Sequence, residues 1–340
     1  MVRTPKVAMK RLPPINDPRR QLPFRFRSYD ELTADLGRTD ALASSLILSV
    51  EYFTHDAEAF AKSVEEETIR ADLAAGAAGR NFTETEKLRV MWDFGNREAE
   101  RFDINTKNPA FPLLRTHAVQ LLLVSVYQQA EVFFNGIRDE LREMGHQWPP
   151  RGDKVPLIEY TLQNLPDGLN GNKIKLGNER YDLFEYYRLM RNSFVHGPSD
   201  QEKVAARFDS VREYRSIVLS EFGLDAPNPF ERMSLDDYQL STRLLKYIAT
   251  DICRIGEPSD KALVKLIEWK GGKVEKPLSR FVLVRQSRAK LRELISRWFK
   301  ERYKLRLANR TSALDALVEY VVQFPNQRLR RKSKKKSTRS

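Results

Sequence analysis

The sequence predicts an all-α protein. Three observations carry that expectation. Apolar residues recur every three or four positions over long stretches, the period of a helix with one buried face. Ser, Thr, Gly and Pro stand where helices begin and end. Only "RFVLVRQ", at 280–286, reads as a short strand.

Residues 1–27 hold five of the seventeen prolines and eight Lys/Arg against one acid, and read as an extended basic arm. A helical region is expected over 28–109. Within it Leu42, Leu46, Val50, Phe53, Ala57 and Phe60 recur at helical spacing over 39–75. "AAGAAGR" breaks it, and Thr83 with Glu86 forms a capping box that opens a second helix. "NPAFPLL" marks a boundary, with Pro112 suited to a first helical turn. The next helix, 113–145, carries Leu114, Ala118, Leu121, Leu122, Val126, Phe133, Ile137 and Leu141 on more than one face, so it should be central and buried. "EMGHQWPPRGD" ends it, and a Gly/Asn-rich loop follows at 164–178.

"NERYDLFEYYRLMRNSFVHG" comes next. Leu183, Tyr187, Met190 and Phe194 form its apolar stripe, and Gly197 and Pro198 stop it. Further helices are expected at 200–220, 234–255, 258–270, 286–308 and 311–323, with Ser234 an N-cap and Asp236 and Asp237 in the first turn behind it. Cys253, the one cysteine, lies at helical spacing in "YIATDICRI" and reads as core; it leaves no intrachain disulfide and fits a reducing cytoplasm. No apolar run approaches the roughly 18 residues of a membrane span, and the N-terminus lacks the apolar core of a secretory signal.

The net charge of +13 is unevenly placed. Residues 270–310 carry fourteen basic side chains against three acids, and 328–340 carry eight against none. Residues 28–269 are net acidic, with 29 basic and 40 acidic side chains. Basic ends of this kind suit a polyanion such as RNA or DNA. In the last thirteen residues Arg328, Arg330, Arg331, Lys334, Lys335 and Lys336 are the candidate RNA contacts, although a solvated, solubilising tail has the same composition.

Several chemistries lack their residues. "WKGGKVEK" does not have the spacing of a phosphate-cradling loop, and no H-E-x-x-H occurs. The four histidines, at 55, 117, 146 and 196, offer no metal-ligand spacing. Glu65, Glu66 and Glu67 are consecutive, about 100° apart on a helix, and cannot converge on one ion. His117 reads as a core histidine. No metal and no cofactor is expected.

"RNSFVH", at 191–196, is what remains. On a helix Arg188, Asn192 and His196 fall within about 80° of one another, with Arg191 about 60° to the other side of Arg188, opposite the apolar stripe. Guanidinium groups fork onto phosphate oxygens, an amide can fix a phosphate or a sugar hydroxyl, and an imidazole can move a proton. The last turn of a helix also favours a cation. The plain alternative is a polar helix end in which Arg meets Glu185 or another acid.

This segment resembles the HEPN superfamily, whose members are all-helical. They carry an Arg, a polar residue that is often Asn, and a His four to six positions after the Arg, at the end of a core helix. The resemblance covers residues 110–256 and implies a HEPN-type helical bundle there, flanked by additional helical regions at 28–109 and 257–327 and by the tail at 328–340. Many members are metal-independent endoribonucleases of toxin–antitoxin, abortive-infection or CRISPR-associated systems. The resemblance implies Arg191, Asn192 and His196 as the catalytic set. Glu131, in "YQQAEVFFN", stands where many members have an acid, and Arg188 would support the set. Members silenced by adenylylation have a Tyr two residues after the His; Pro198 stands there in this chain. The implied reaction is attack of a 2′-hydroxyl on its own phosphate. One motif histidine per chain makes a homodimer the simpler expectation, with RNA as substrate and an antitoxin or sensor as a further partner. The alternative is a non-catalytic HEPN-type RNA-binding or interaction protein.

Overall fold

The computed structural model describes residues 22–79, 81, 83, 86, 111–197, 201–267 and 278–324. It is 79% helical, with no strand among the described residues, so the all-α class holds. The helices are α1 (Arg27–Ala77), α2 (Phe111–Glu143), α3 (Leu157–Gln163), α4 (Gly168–Leu176), α5 (Asn178–His196) and α6 (Gln201–Val211). They continue with α7 (Arg215–Phe222), α8 (Leu235–Ile255), α9 (Asp260–Ile267), α10 (Leu278–Leu283), α11 (Arg288–Tyr303) and α12 (Thr311–Gln323). No described helix is long and apolar enough to cross a membrane.

Five sequence expectations need correction. The expected strand is helix α10: Leu278, Phe281 and Val282 are its buried residues, spaced three and four apart rather than two. The expected loop at 164–178 contains α4. Asn172, fully buried, donates from Nδ2 to the carbonyl of Leu162 at 2.8 Å, and left-handed backbone at Asp167, Gly168 and Gly177 turns the chain in and out. The end of the expected arm is anchored, because Leu22, Phe24 and Phe26 are buried. Leu42 and Leu46 are exposed, whereas Ala43 and Ile47 continue the buried row of Leu32 and Leu36. The true stripe of α1 therefore lies one residue, about 100°, away from the expected one. On α2, Ala118, Val126, Phe133, Ile137 and Leu141 are buried as expected, but Leu121 is exposed. The side chains of Leu114, Val50, Phe53, Ala57 and Phe60 lie outside the described residues.

Two compact units divide the chain. The first comprises Met1–Gly37, Val126–Arg188 and Ser241–Ser340; the second comprises Arg38–Ser125 and Leu189–Leu240. In the first unit Phe24 stacks on Tyr303, with ring centroids 5.2 Å apart, and Phe26 meets Phe24 edge-on at 5.0 Å. The start of α1 is capped by a carboxylate from α2. Glu140, buried, accepts from the backbone N–H groups of Arg27 and Ser28 at 2.9 Å each and from Ser28 Oγ at 2.8 Å. A side chain supplied from another helix here does the work of an N-cap. Gly136, one turn before Glu140, lets the two backbones approach: a Cβ there would lie 2.6 Å from Ser28 Cβ.

Ion pairs hold other parts of this unit. Asp251 accepts from Arg180 at 3.4 Å and from Arg254 at 3.1 Å. Burial works against the charge of Glu159, but the Tyr181 hydroxyl and the Lys173 ammonium outweigh it and hold its carboxyl below the usual range. Cys253 is buried, and burial pushes its thiol well above the ordinary value, consistent with a core residue. Between α11 and α12, Arg288 meets Glu319 at 2.8 Å and Arg292 meets Asp315.

In the second unit the N-terminus of α8 is built as its sequence suggested. Asp237, fully buried, accepts from the Ser234 N–H at 2.9 Å and from both the N–H and the Nδ2 of Asn228 at 2.9 Å each. Tyr238 donates to Asp40 at 2.9 Å, joining α8 to α1. The Thr83–Glu86 capping box is present, with Thr83 N to Glu86 Oε2 at 2.9 Å and Glu86 N to Thr83 Oγ1 at 3.3 Å. The helix expected beyond it lies outside the described residues.

Candidate functional site

The last turn of α5 belongs to the second unit. Met190 and Ser193 are buried there, which fixes the helix face that turns inward. Arg191 and Asn192 are half-buried, and Val195 and His196 are exposed. Gly197, at φ +88°, ends the helix and donates its N–H to the Ser193 carbonyl at 3.1 Å. Arg191 Nη1 donates to Asn192 Oδ1 at 3.1 Å. With its oxygen occupied in this way, the Asn192 amide keeps two N–H donors for a phosphate or a sugar oxygen.

Arg188 is placed differently from Arg191. Its Nε donates to Glu185 at 2.8 Å, and the Glu185 side chain is only 9% exposed. Arg188 is therefore held by an internal carboxylate in the first unit, as the plain reading of this helix allowed. Glu131 is exposed on α2 and is described with the first unit; its backbone carbonyl accepts from Asn135 Nδ2 at 2.9 Å. The tail residues Arg328, Arg330, Arg331, Lys334, Lys335 and Lys336 lie outside the described residues, as does Pro198.

His117 is the residue that sequence reasoning misplaced. Expected in the core, it is exposed near the start of α2, and its ring meets that of Phe194 edge-on with centroids 6.4 Å apart. It directly precedes Ala118 and Val119, which are buried. On α5, Phe194 and His196 point about 160° apart, so an imidazole resting on Phe194 flanks the motif from the side away from His196. His146 is half-buried beyond the end of α2, and the described residues contain no group of three or more His, Cys, Asp or Glu placed to hold a metal ion.

Chemically, the end of α5 offers a guanidinium and an amide that can bind a phosphate, and an accessible imidazole that can carry a proton. No family model, no curated protein and no solved structure matches the chain.

Proposed function

We propose that this protein is a metal-independent endoribonuclease of HEPN type that cuts RNA by 2′-hydroxyl transesterification, as a toxin or antiphage-defence effector. One observation carries the reading. Half-buried Arg191, hydrogen-bonded to Asn192, stands just over one turn before the exposed His196 at the end of α5.

A base takes the proton of the 2′-hydroxyl, whose oxygen attacks the adjacent phosphorus. The bond from phosphorus to the 5′-oxygen breaks, an acid protonates that oxygen, and the products are a 2′,3′-cyclic phosphate and a 5′-hydroxyl. The nucleophile belongs to the substrate, so no metal-activated water is required. Arg191 and Asn192 would hold the phosphate and offset the charge that develops on it. His196 can serve one proton step. The other falls most simply to His196 of the partner subunit across a two-fold axis, since His117 lies to the other side of the helix. Val195, exposed beside the polar groups, would supply apolar area to such a dimer.

A non-catalytic HEPN-type RNA-binding or interaction protein is the second reading. The engagement of Arg188 by Glu185 favours it, because that arginine is drawn off the polar face. Incubation of purified protein with total cellular RNA in EDTA separates the two. Cleavage that persists in EDTA and is lost in His196→Ala supports the enzyme. No cleavage by either protein, with RNA binding retained, supports the second reading.

A further inference from the structure

A second imidazole lies beside the motif within the second unit. His117, near the start of α2, is exposed although it directly precedes the buried Ala118 and Val119. Its ring meets that of Phe194 edge-on, with centroids 6.4 Å apart and planes at 75°. A single neighbour in that geometry covers at most one face of the imidazole. Leu121, one turn further along α2 and about 40° round it, is 60% exposed and extends the same side of the helix. Both stretches of chain, Arg38–Ser125 and Leu189–Leu240, belong to this unit.

Phe194 fixes where the ring pair lies relative to the motif. Around α5, Phe194, Arg191, Asn192 and His196 follow one another at steps of about 60°, 100° and 40°. Arg191, which donates to Asn192 at 3.1 Å, therefore stands between the ring pair on one side and His196 on the other. Arg191 and Phe194 are three positions apart, which puts their Cβ atoms about 5–6 Å from one another. A guanidinium with an aromatic ring one helical turn away matches the reach from a phosphate to the base of the same nucleotide. Phe194 is half-buried, so the ring behind His117 is held by the body of the unit. The exposed area of His117 and Leu121 is on the scale of one base, whereas a specific protein partner would engage about 20–30 residues a side.

We propose that His117, backed by Phe194, is a platform on which one unpaired base of a single-stranded RNA stacks while a phosphate of that strand lies at Arg191 and Asn192. Stacking on aromatic side chains is the general way in which proteins hold unpaired bases. The choice of RNA rests on the ribonuclease reading. His117 binds and does not carry a proton here, because Arg191 separates it from His196 around the helix. A stack made equally in the ground state and the transition state lowers KM and leaves kcat unchanged.

The test uses full-length protein and two fluorescent strands of equal length and charge. One is a 2′-O-methyl oligouridylate; the other is an abasic phosphodiester built on tetrahydrofuran units. Neither has a 2′-hydroxyl, so both stay intact. Affinities are compared for wild type, His117→Ala and His117→Phe. Wild type should prefer the strand that carries bases. His117→Ala should weaken binding to that strand by about 5- to 150-fold, the range for losing one stacked base, and should bind the abasic strand as wild type does. His117→Phe, which keeps a ring and loses the ionisable nitrogens, should retain the wild-type preference. Wild type that binds the two strands equally, or binds neither, overturns the proposal. So does His117→Ala that keeps the preference or weakens both strands alike. A change from dimer to monomer in His117→Ala, with the preference intact, also overturns it and makes the patch an interface between copies. Cleavage of unmodified RNA is scored separately. A preference that depends on His117 without any cleavage refutes the enzyme and keeps the platform, whereas cleavage by His117→Ala with wild-type KM and an unchanged preference refutes the platform alone.

Discussion

Arg188 and Arg191 lie one turn apart on α5, and their replacement should have opposite consequences. Arg188→Ala removes the guanidinium that lies 2.8 Å from Glu185 and leaves a carboxylate whose side chain is 9% exposed without that partner. Breaking a fully buried pair costs about 3–5 kcal/mol; Arg188 keeps 28% of its side chain exposed, so about 2–3 kcal/mol is expected here. Arg191→Ala removes a hydrogen bond to the half-buried Asn192, an interaction worth about 1 kcal/mol. Its cost should fall on cleavage instead, by about 100-fold or more, the loss of one transition-state donor. The assay is urea unfolding at constant m-value, paired with initial rates on RNA. Arg188→Ala combined with Glu185→Ala should recover part of the lost stability, because the two side chains act as a pair. Arg191→Ala that unfolds as readily as Arg188→Ala, or that cuts RNA at the wild-type rate, would refute the assignment of one arginine to the fold and the other to the chemistry.

Three further outcomes follow from the first unit. Glu140→Ala should destabilise the protein by about 3 kcal/mol or more, since it strips a buried charged acceptor from two backbone N–H groups and a hydroxyl. Gly136→Ala, which would stabilise an unconstrained helix, should instead destabilise it by about 1–3 kcal/mol, because the new Cβ meets Ser28 Cβ at 2.6 Å; chemical denaturation reads both. Acid sensitivity should trace in part to Asp260. Burial slightly opposes its charge, but Ser312 and Arg310 outweigh that and hold its carboxyl below the usual range. A depressed carboxylate contributes stability that is present above its unfolded value, near about pH 4, and is lost as pH falls through the folded value. Asp260→Asn should therefore flatten the pH dependence of stability on the acid side, with little effect on the profile above about pH 6; equal acid profiles for both proteins would count against this.

The elements with strong apolar periodicity or strong punctuation were legible in the sequence. Helix α5, its stop at Gly197 and the cap at Ser234 could be read from residue types alone, because helix spacing and capping chemistry are local. What was not legible depended on distant partners. Helix α4 looked like a loop because its anchor, Asn172, is polar and holds by one hydrogen bond to the carbonyl of Leu162. Phe24 and Phe26 looked like part of a free arm because the ring that receives Phe24, Tyr303, lies far along the chain. Glu140 carried no sequence signature as the cap of a helix more than a hundred residues away. In the candidate site, the place of the motif at the end of α5 was readable. The diversion of Arg188 was readable only as an alternative, and the exposure of His117 was not anticipated.

The proposed nucleophile at the Arg191–Asn192–His196 site is the substrate's own 2′-hydroxyl. The most direct test is a synthetic RNA carrying one 2′-deoxy nucleotide immediately 5′ of a mapped cut, compared with the all-ribose strand. The all-ribose strand should be cut with a 2′,3′-cyclic phosphate and a 5′-hydroxyl, and the substituted bond should stay intact while other cuts proceed. Cleavage of the substituted bond, or products bearing a 3′-hydroxyl, would contradict it.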